Sequence, residues 1–185
     1  MAATHNEPGL EVIVLAAGCF WCTEAVFLQV RGVQAVESGY SNGHLEQPRY
    51  EAVCTGSTGH AEVVRLVYDP CVVSTRELLE VFFLVHDPTT LNRQGHDVGT
   101  QYRSGIYWSD TAQERTAKDL IAELDASGHY GRPIVTEVAP VQNYWRAEEE
   151  HQNFFARNPQ QAYCRAVAAP KVAKFRQTFA RLQKG

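Results

Sequence analysis

A chain of 185 residues, 44% hydrophobic and 21% charged, is long enough to bury a real core as one catalytic domain spanning 1–185. Its formal charge of -4 at pH 7 leaves no basic footprint, so no nucleic acid is expected as a partner. No run approaches the roughly 20 apolar residues of a membrane span, and the opening MAATHNEPGLEVIVLAAG lacks the basic region of a signal peptide, which points to a cytoplasmic protein without a membrane partner.

Leu10–Ala17 predicts a buried first strand, because Val12, Ile13, Val14 and Leu15 form one apolar run. Gly18 breaks it, and Cys22–Val30 predicts a helix with Ala25, Val26 and Val30 turned inward. Val33–Gly39 is a second strand; Ser41–Arg49, with Asn42-Gly43 and Pro48, is a loop; Ala61–Tyr68 is a third strand closed by Asp69-Pro70. Ser74-Thr-Arg-Glu77 matches a capping box ahead of Leu78, Leu79, Phe82 and Phe83, and Asp87-Pro88 should stop that helix near His86.

Thr89–Gln101 is a long polar loop, of a kind often tied to function. Gly105–Trp108 predicts a short strand, Asp110–Ala126 a helix with Leu120, Ile121 and Leu124 inward, and Ile134–Val138 a further strand. Val172, Phe175, Phe179 and Leu182 form one stripe of a C-terminal helix over about 170–183, beyond a core of about 10–165. The order strand, helix, strand, strand, helix, strand predicts an α+β fold: a ferredoxin-like split β-α-β core with a mixed sheet and appended helices and long loops.

The five cysteines, Cys19, Cys22, Cys54, Cys71 and Cys164, are an odd set at irregular spacing, unlike a secreted disulfide framework. In a reducing cytosol a cysteine pair reads as chemistry first. Gly18-Cys19-Phe20-Trp21-Cys22 lies where the first strand gives way to the first helix. A thiol there meets unpaired N–H groups and the positive end of the dipole, which favour the nucleophilic thiolate.

A lone cysteine is more often a small core residue. The strand-to-helix position and the two adjoining aromatics make Cys19 a candidate nucleophile instead. Cys19-x-x-Cys22 is also half of a zinc site, but the other cysteines and His60 stand alone, so no metal is expected. It equally suits a thioredoxin-type redox pair, which keeps a general thiol–disulfide oxidoreductase open.

Other polar blocks cluster in predicted loops and element ends: Thr58-Gly-His-Ala-Glu62, His86 through Ser104, Ala147–Gln152 at the head of a late helix, and Asn158 through Cys164. With Gly18–Trp21, Pro48-Arg49-Tyr50, Gly56 through Glu62, His86 through Ser104, Ala147–Gln152 and Tyr163-Cys164 in this order, the chain resembles the peptide methionine sulfoxide reductase A family from about Val12 to Cys164.

The resemblance implies an oxidoreductase that repairs oxidative damage by returning methionine S-sulfoxide, free or in proteins, to methionine. It assigns Cys19 as nucleophile and Phe20 and Trp21 as methyl-binding aromatics. Glu62 becomes the acid that protonates the sulfoxide oxygen, Tyr50 and Tyr102 supporting hydroxyls, Asp97 a holder of the substrate's polar groups, and Cys164 the resolving thiol. It further implies a Cys19 sulfenic acid, an intramolecular disulfide, and reduction by thioredoxin or a similar dithiol, without a cofactor.

The chemistry agrees with those roles. A sulfoxide is a poor electrophile until its oxygen is protonated, and a carboxyl beside aromatic walls holds its proton to higher pH. Tyrosine hydroxyls suit the developing charge on oxygen. Taken singly, Glu62 reads as a solvated strand-end charge and Tyr50 or Tyr102 as a core residue; only their joint occurrence raises them.

Cys22 stands where many members have glycine, His96 where asparagine is frequent, and Glu150 where tyrosine is frequent. Cys22 lies one helical turn from Cys19, a restrictive geometry for a disulfide, whereas Cys164 follows Asn158-Pro159 in a stretch that reads as flexible. Cys164 is therefore the favoured resolver, with Cys22 an alternate or a relay, and Cys54 and Cys71 are expected to pack as small hydrophobes. Two competing readings remain. A general disulfide oxidoreductase gives Glu62, Tyr50 and Tyr102 no task, and a non-enzymatic module that binds oxidised methionine needs no second thiol.

Overall fold

The apolar run Val12–Leu15 becomes the middle of β1 (Glu11–Ala17) in the computed structural model, which describes residues 9–185. The expectations placed on residues 1–8, the missing leader and the N-terminal edge of the domain, lie outside the described residues. β1 pairs antiparallel with β3 (Ala61–Tyr68) on one side and with β6 (Ser104–Trp108) on the other. Its two faces are covered as well. Ile13, Leu15 and Ala17 enter the main core, and Val14 and Ala16 join a smaller cluster with Ala61, Val63 and Tyr107. A strand buried on both faces has no need of alternation, which is why it reads as a continuous run.

β2 (Val33–Ser41) pairs antiparallel with β3, so the spatial order β6-β1-β3-β2 is that of the expected split β-α-β core. Two strands extend it: β7 (Glu137–Pro140) lies parallel to β6 and makes the sheet mixed, and β8 (Trp145–Arg146) lies antiparallel to β2. The fold class is the α+β arrangement expected.

α1 (Phe20–Phe27) packs on β2 and β3, and α3 (Thr75–Val85) on α4 (Thr111–Ser127) and α6 (Ala169–Thr178). α3 carries the capping box as expected: Ser74 Oγ accepts the Glu77 N–H, and Glu77 Oε2 accepts the Ser74 N–H at 2.9 Å. Leu78, Leu79 and Phe82 of α3 are each 0% exposed. Such burial contributes about 1.5–3 kcal/mol per side chain. α4 starts on an Asp110 cap and ends at Gly128, whose φ of +67° suits glycine.

Several boundaries differ from expectation. α1 begins at Phe20 rather than Cys22 and stops at Phe27, since Gln29 and Val30 turn back on Val26 and Phe27. A short α2 (Tyr50–Cys54) follows the Ser41–Arg49 loop. The long polar loop contains a two-residue hairpin, β4 (Arg93–Gln94) and β5 (Asp97–Val98), and a 3-10 turn over Thr100–Tyr102. The strand expected at Ile134–Val138 shifts to β7, because the Ile134 N–H is taken by the Asp125 carboxylate and not by a neighbouring strand.

Ala147–Gln152 supplies a 3-10 turn at Glu149–His151 before the one-turn α5 (Phe154–Arg157). The C-terminal helix is broken into a π turn over Cys164–Ala168, α6, and a 3-10 turn over Ala180–Leu182. Among the described residues, no helix is long and apolar enough to cross a membrane.

Candidate active site

The chain leaves β1 at Gly18 with φ +87°, and a Cβ there would sit 2.7 Å from the Gln94 side chain. Only glycine fits both demands. Cys19 follows as the N-cap residue of α1, with its carbonyl accepting the Cys22 and Thr23 N–H groups at 3.2 and 3.4 Å. It is 9% exposed.

Burial, a hydrogen bond to the Cys22 sulfur and the negative charge of Glu62 push the Cys19 thiol well above the ordinary range, though the Trp21 N–H offsets part of this. That corrects the expectation of a ready thiolate at the helix N-terminus. The reason is local: the Phe20 N–H points to Glu62 Oε2 at 3.1 Å and not to the sulfur. The same thiol–thiol bond lowers Cys22, which is fully buried beside it.

Glu62 sits on β3 opposite Tyr40 of β2 and is 1% exposed. It is thus a buried acid and not a solvated strand-end charge. Burial raises its pKa to about 8; the Phe20 N–H pulls against that, and Asp97 and Cys22 add to it. At neutral pH this carboxyl holds its proton.

Aromatic rings enclose the two groups. Phe20 is 1% exposed and packs against Tyr40 at 5.7 Å and Tyr50 at 6.5 Å between ring centroids. Trp21 is half-buried and stacks on Phe154 at 3.8 Å with an interplanar angle of 7°. Tyr50 opens α2, its backbone N–H held by Glu148 Oε2 at 3.1 Å, and burial with the neighbouring Cys54 raises its hydroxyl. Tyr102, in the 3-10 turn, lies near Glu62, Asp97 and Cys19, and burial and these negative groups raise its hydroxyl. Asp97 accepts the Tyr163 hydroxyl at 2.5 Å, and that hydroxyl lies 4.0 Å from Cys22 Sγ. Cys19, Cys22, Phe20, Trp21, Tyr50, Glu62, Asp97 and Tyr102 therefore converge from five separate segments.

Cys164 is 0% exposed at the head of the π turn. Burial raises its thiol, with a smaller contribution from Cys22. Cys54 and Cys71 are exposed, which overturns their reading as packed hydrophobes. Cavities of about 260 and 390 Å³ lie elsewhere, along α3, Tyr130 and Lys174, and include none of these groups.

Sequence reasoning gave no role to Tyr40, Glu148, His151 or Tyr163. Glu148 binds both the Tyr40 hydroxyl and the Tyr50 N–H, and His151 Nδ1 accepts the Trp21 indole N–H at 3.1 Å. Three of the four lay inside the polar blocks at Ala147–Gln152 and Tyr163-Cys164, so a signal existed without a role attached. Tyr40 carried none.

Comparison with known proteins identifies the family. A family profile described as peptide methionine sulfoxide reductase matches residues 11–183. The chain is 55% identical to a protein of Ralstonia nicotianae named peptide methionine sulfoxide reductase MsrA, over 96% of each chain. Mxr1 of Saccharomyces cerevisiae in its reduced form superposes with a TM-score of 0.80 at 37% identity, over 85% of this chain and 91% of that one. Mxr1 solved in complex with Trx2 matches with a TM-score of 0.58 at 26% identity, over 83% of this chain and 90% of that one. A family match over nearly the whole chain and this degree of identity settle the class of oxidoreductase: the chain is a member of the peptide methionine sulfoxide reductase family.

Proposed function

We propose that this protein, acting as one catalytic domain in the cytoplasm, reduces methionine S-sulfoxide, free or in proteins, through a Cys19 sulfenic acid. The observation that carries the reading is Glu62: a carboxyl 1% exposed, protonated up to about pH 8, on the N–H that starts the helix of Cys19. Such an acid is the proton source a sulfoxide oxygen requires.

Phe20 and Trp21 wall the substrate methyl, Tyr50 and Tyr102 hold the oxygen, and Asp97 fixes polar groups of the substrate. As Glu62 protonates the oxygen, Cys19 sulfur attacks the sulfoxide sulfur and gives up its proton, so an S–S bond forms, the S–O bond breaks and the oxygen leaves as water. Water then attacks the Cys19 sulfur, the S–S bond breaks to release methionine, a proton returns to Glu62, and Cys19 is left as a sulfenic acid. No proton, metal or cofactor is consumed in the sum.

The sulfenic acid then condenses with a second thiol, releasing water and forming a disulfide. The thiol packed in one buried cluster with Cys19 is Cys22, and Cys164 is buried as well. This favours Cys22 as first partner and Cys164 as the second stop of a relay, in place of direct attack by Cys164. A dithiol protein of the thioredoxin type finally takes the disulfide by exchange; the complex of Mxr1 with Trx2 supports that partner class.

Mass mapping of disulfides after one turnover tests the scheme. Cys164→Ser should still form the Cys19–Cys22 bond but lose thioredoxin-driven cycling. A Cys22→Ser variant that forms a Cys19–Cys164 bond as fast as wild type would remove Cys22 from the pathway.

A further inference from the structure

We infer that His151 is a positioning residue for the substrate pocket, locked by the Trp21 indole as the tautomer that carries its single proton on Nε2. An indole N–H only donates. Trp21 Nε1 lies 3.1 Å from His151 Nδ1, so that nitrogen must offer a lone pair. The one proton of the neutral ring then belongs to Nε2. His151 Nε2 is buried without a hydrogen-bond partner among the described residues and stands 3.8 Å from both Glu148 Oε2 and Glu150 Oε1.

The ring is placed to transmit this choice. His151 is 5% exposed, with centroid distances of 4.4 Å to Tyr50, 5.4 Å to Phe20 and 5.9 Å to Trp21. Phe154 covers one face of the indole and Tyr163 meets it edge-on at 5.9 Å, so apolar contacts set the plane of Trp21 while Nδ1 supplies its one polar tether. Glu148 completes the frame, because its carboxylate holds the Tyr40 hydroxyl and the Tyr50 N–H beside the same ring. One imidazole thereby contacts both α1 and α2.

The same proton count governs the trio Glu148, Glu150 and His151, whose ligand atoms lie within 4.8 Å of one another. A divalent cation there needs the Nε2 lone pair, which moves the proton to Nδ1 and breaks the Trp21 bond. The tether and a metal are mutually exclusive at this ring.

The kinetic part of the inference rests on the proposed role of Trp21 as a pocket wall; the tautomer does not. Nitrogen-15 NMR reads the His151 ring directly in the wild type, and the Trp21 indole signal is identified as the one lost in Trp21→Phe. The expected result is an unprotonated Nδ1 and a protonated Nε2. The indole signal should move in His151→Leu and stay near its wild-type place in His151→Asn, whose Oδ1 accepts in place of Nδ1. Loss of the tether should raise KM for methionine sulfoxide about five- to tenfold in His151→Leu with a smaller change in kcat.

A protonated Nδ1 in the wild type overturns the inference, with no variant required to fold. So does an indole signal unmoved by His151→Leu. An indole that moves while KM stays constant overturns the pocket role through the reading of Trp21, and the ring signals then distinguish that failure from a failed tautomer lock.

Discussion

α1 and α3 both pack against the central sheet, yet their first turns are built in opposite ways. α3 closes its N-terminus locally, with Ser74 and Glu77 satisfying each other's backbone N–H groups. α1 has no side-chain cap of its own; its N-cap residue is Cys19, and its first N–H is given to Glu62 from β3, 42 residues away. A helix start that serves stability is capped from within its own turn. The α1 start borrows its partner from elsewhere, which sets a buried carboxyl beside the N-cap thiol.

The sharpest way to break this contrast is at the α1 start. Cys19→Ser should abolish sulfoxide reduction and all trapping of a sulfenic acid by a dione probe. Residual turnover at the wild-type level would move the nucleophile to another thiol.

Glu62→Gln should slow sulfenic acid formation by about 10²–10⁴-fold in single-turnover kinetics, the usual weight of a positioned acid. The wild-type rate should fall as pH rises through about 8, where Glu62 loses its proton. The Gln variant should lack that limb, and a shared limb would take Glu62 out of the acid role.

Stability carries its own sign. An unfolded glutamate titrates near roughly 4.3, so the folded chain holds a proton that the unfolded chain releases between there and about 8. Stability therefore falls with rising pH across that window. Glu62→Gln, with no proton to lose, should unfold with a flatter pH dependence in chemical denaturation.

The smallest effect belongs to the other helix. Ser74→Ala should cost about 1 kcal/mol of stability and leave single-turnover rates unchanged. A kinetic defect there would blur the distinction between the two helix starts.

Much of this was legible in the chain because it was local. The double-sided run Val12–Leu15, the capping box at Ser74 and the stop before Pro88 depend on neighbours a few residues apart, and the order of elements implied the split β-α-β core. Cys19 was legible for the same reason, as a thiol between a strand and a helix. The reactive state of that thiol was not. The helix terminus argued for a thiolate, but burial and the diversion of the Phe20 N–H to Glu62 raised it instead. Cys164 read as flexible from Asn158-Pro159, while packing made it a buried helical residue.

What the sequence by itself determined was the set of reactive groups and the strand order that brings them together, since both follow from short-range pattern. Which carboxyl keeps its proton and which nitrogen of His151 carries hydrogen were decided only by the tertiary structure. Desolvation and hydrogen-bond partners depend on residues from β3, α1 and the Glu149–His151 turn meeting in space, and no spacing along the chain records that meeting.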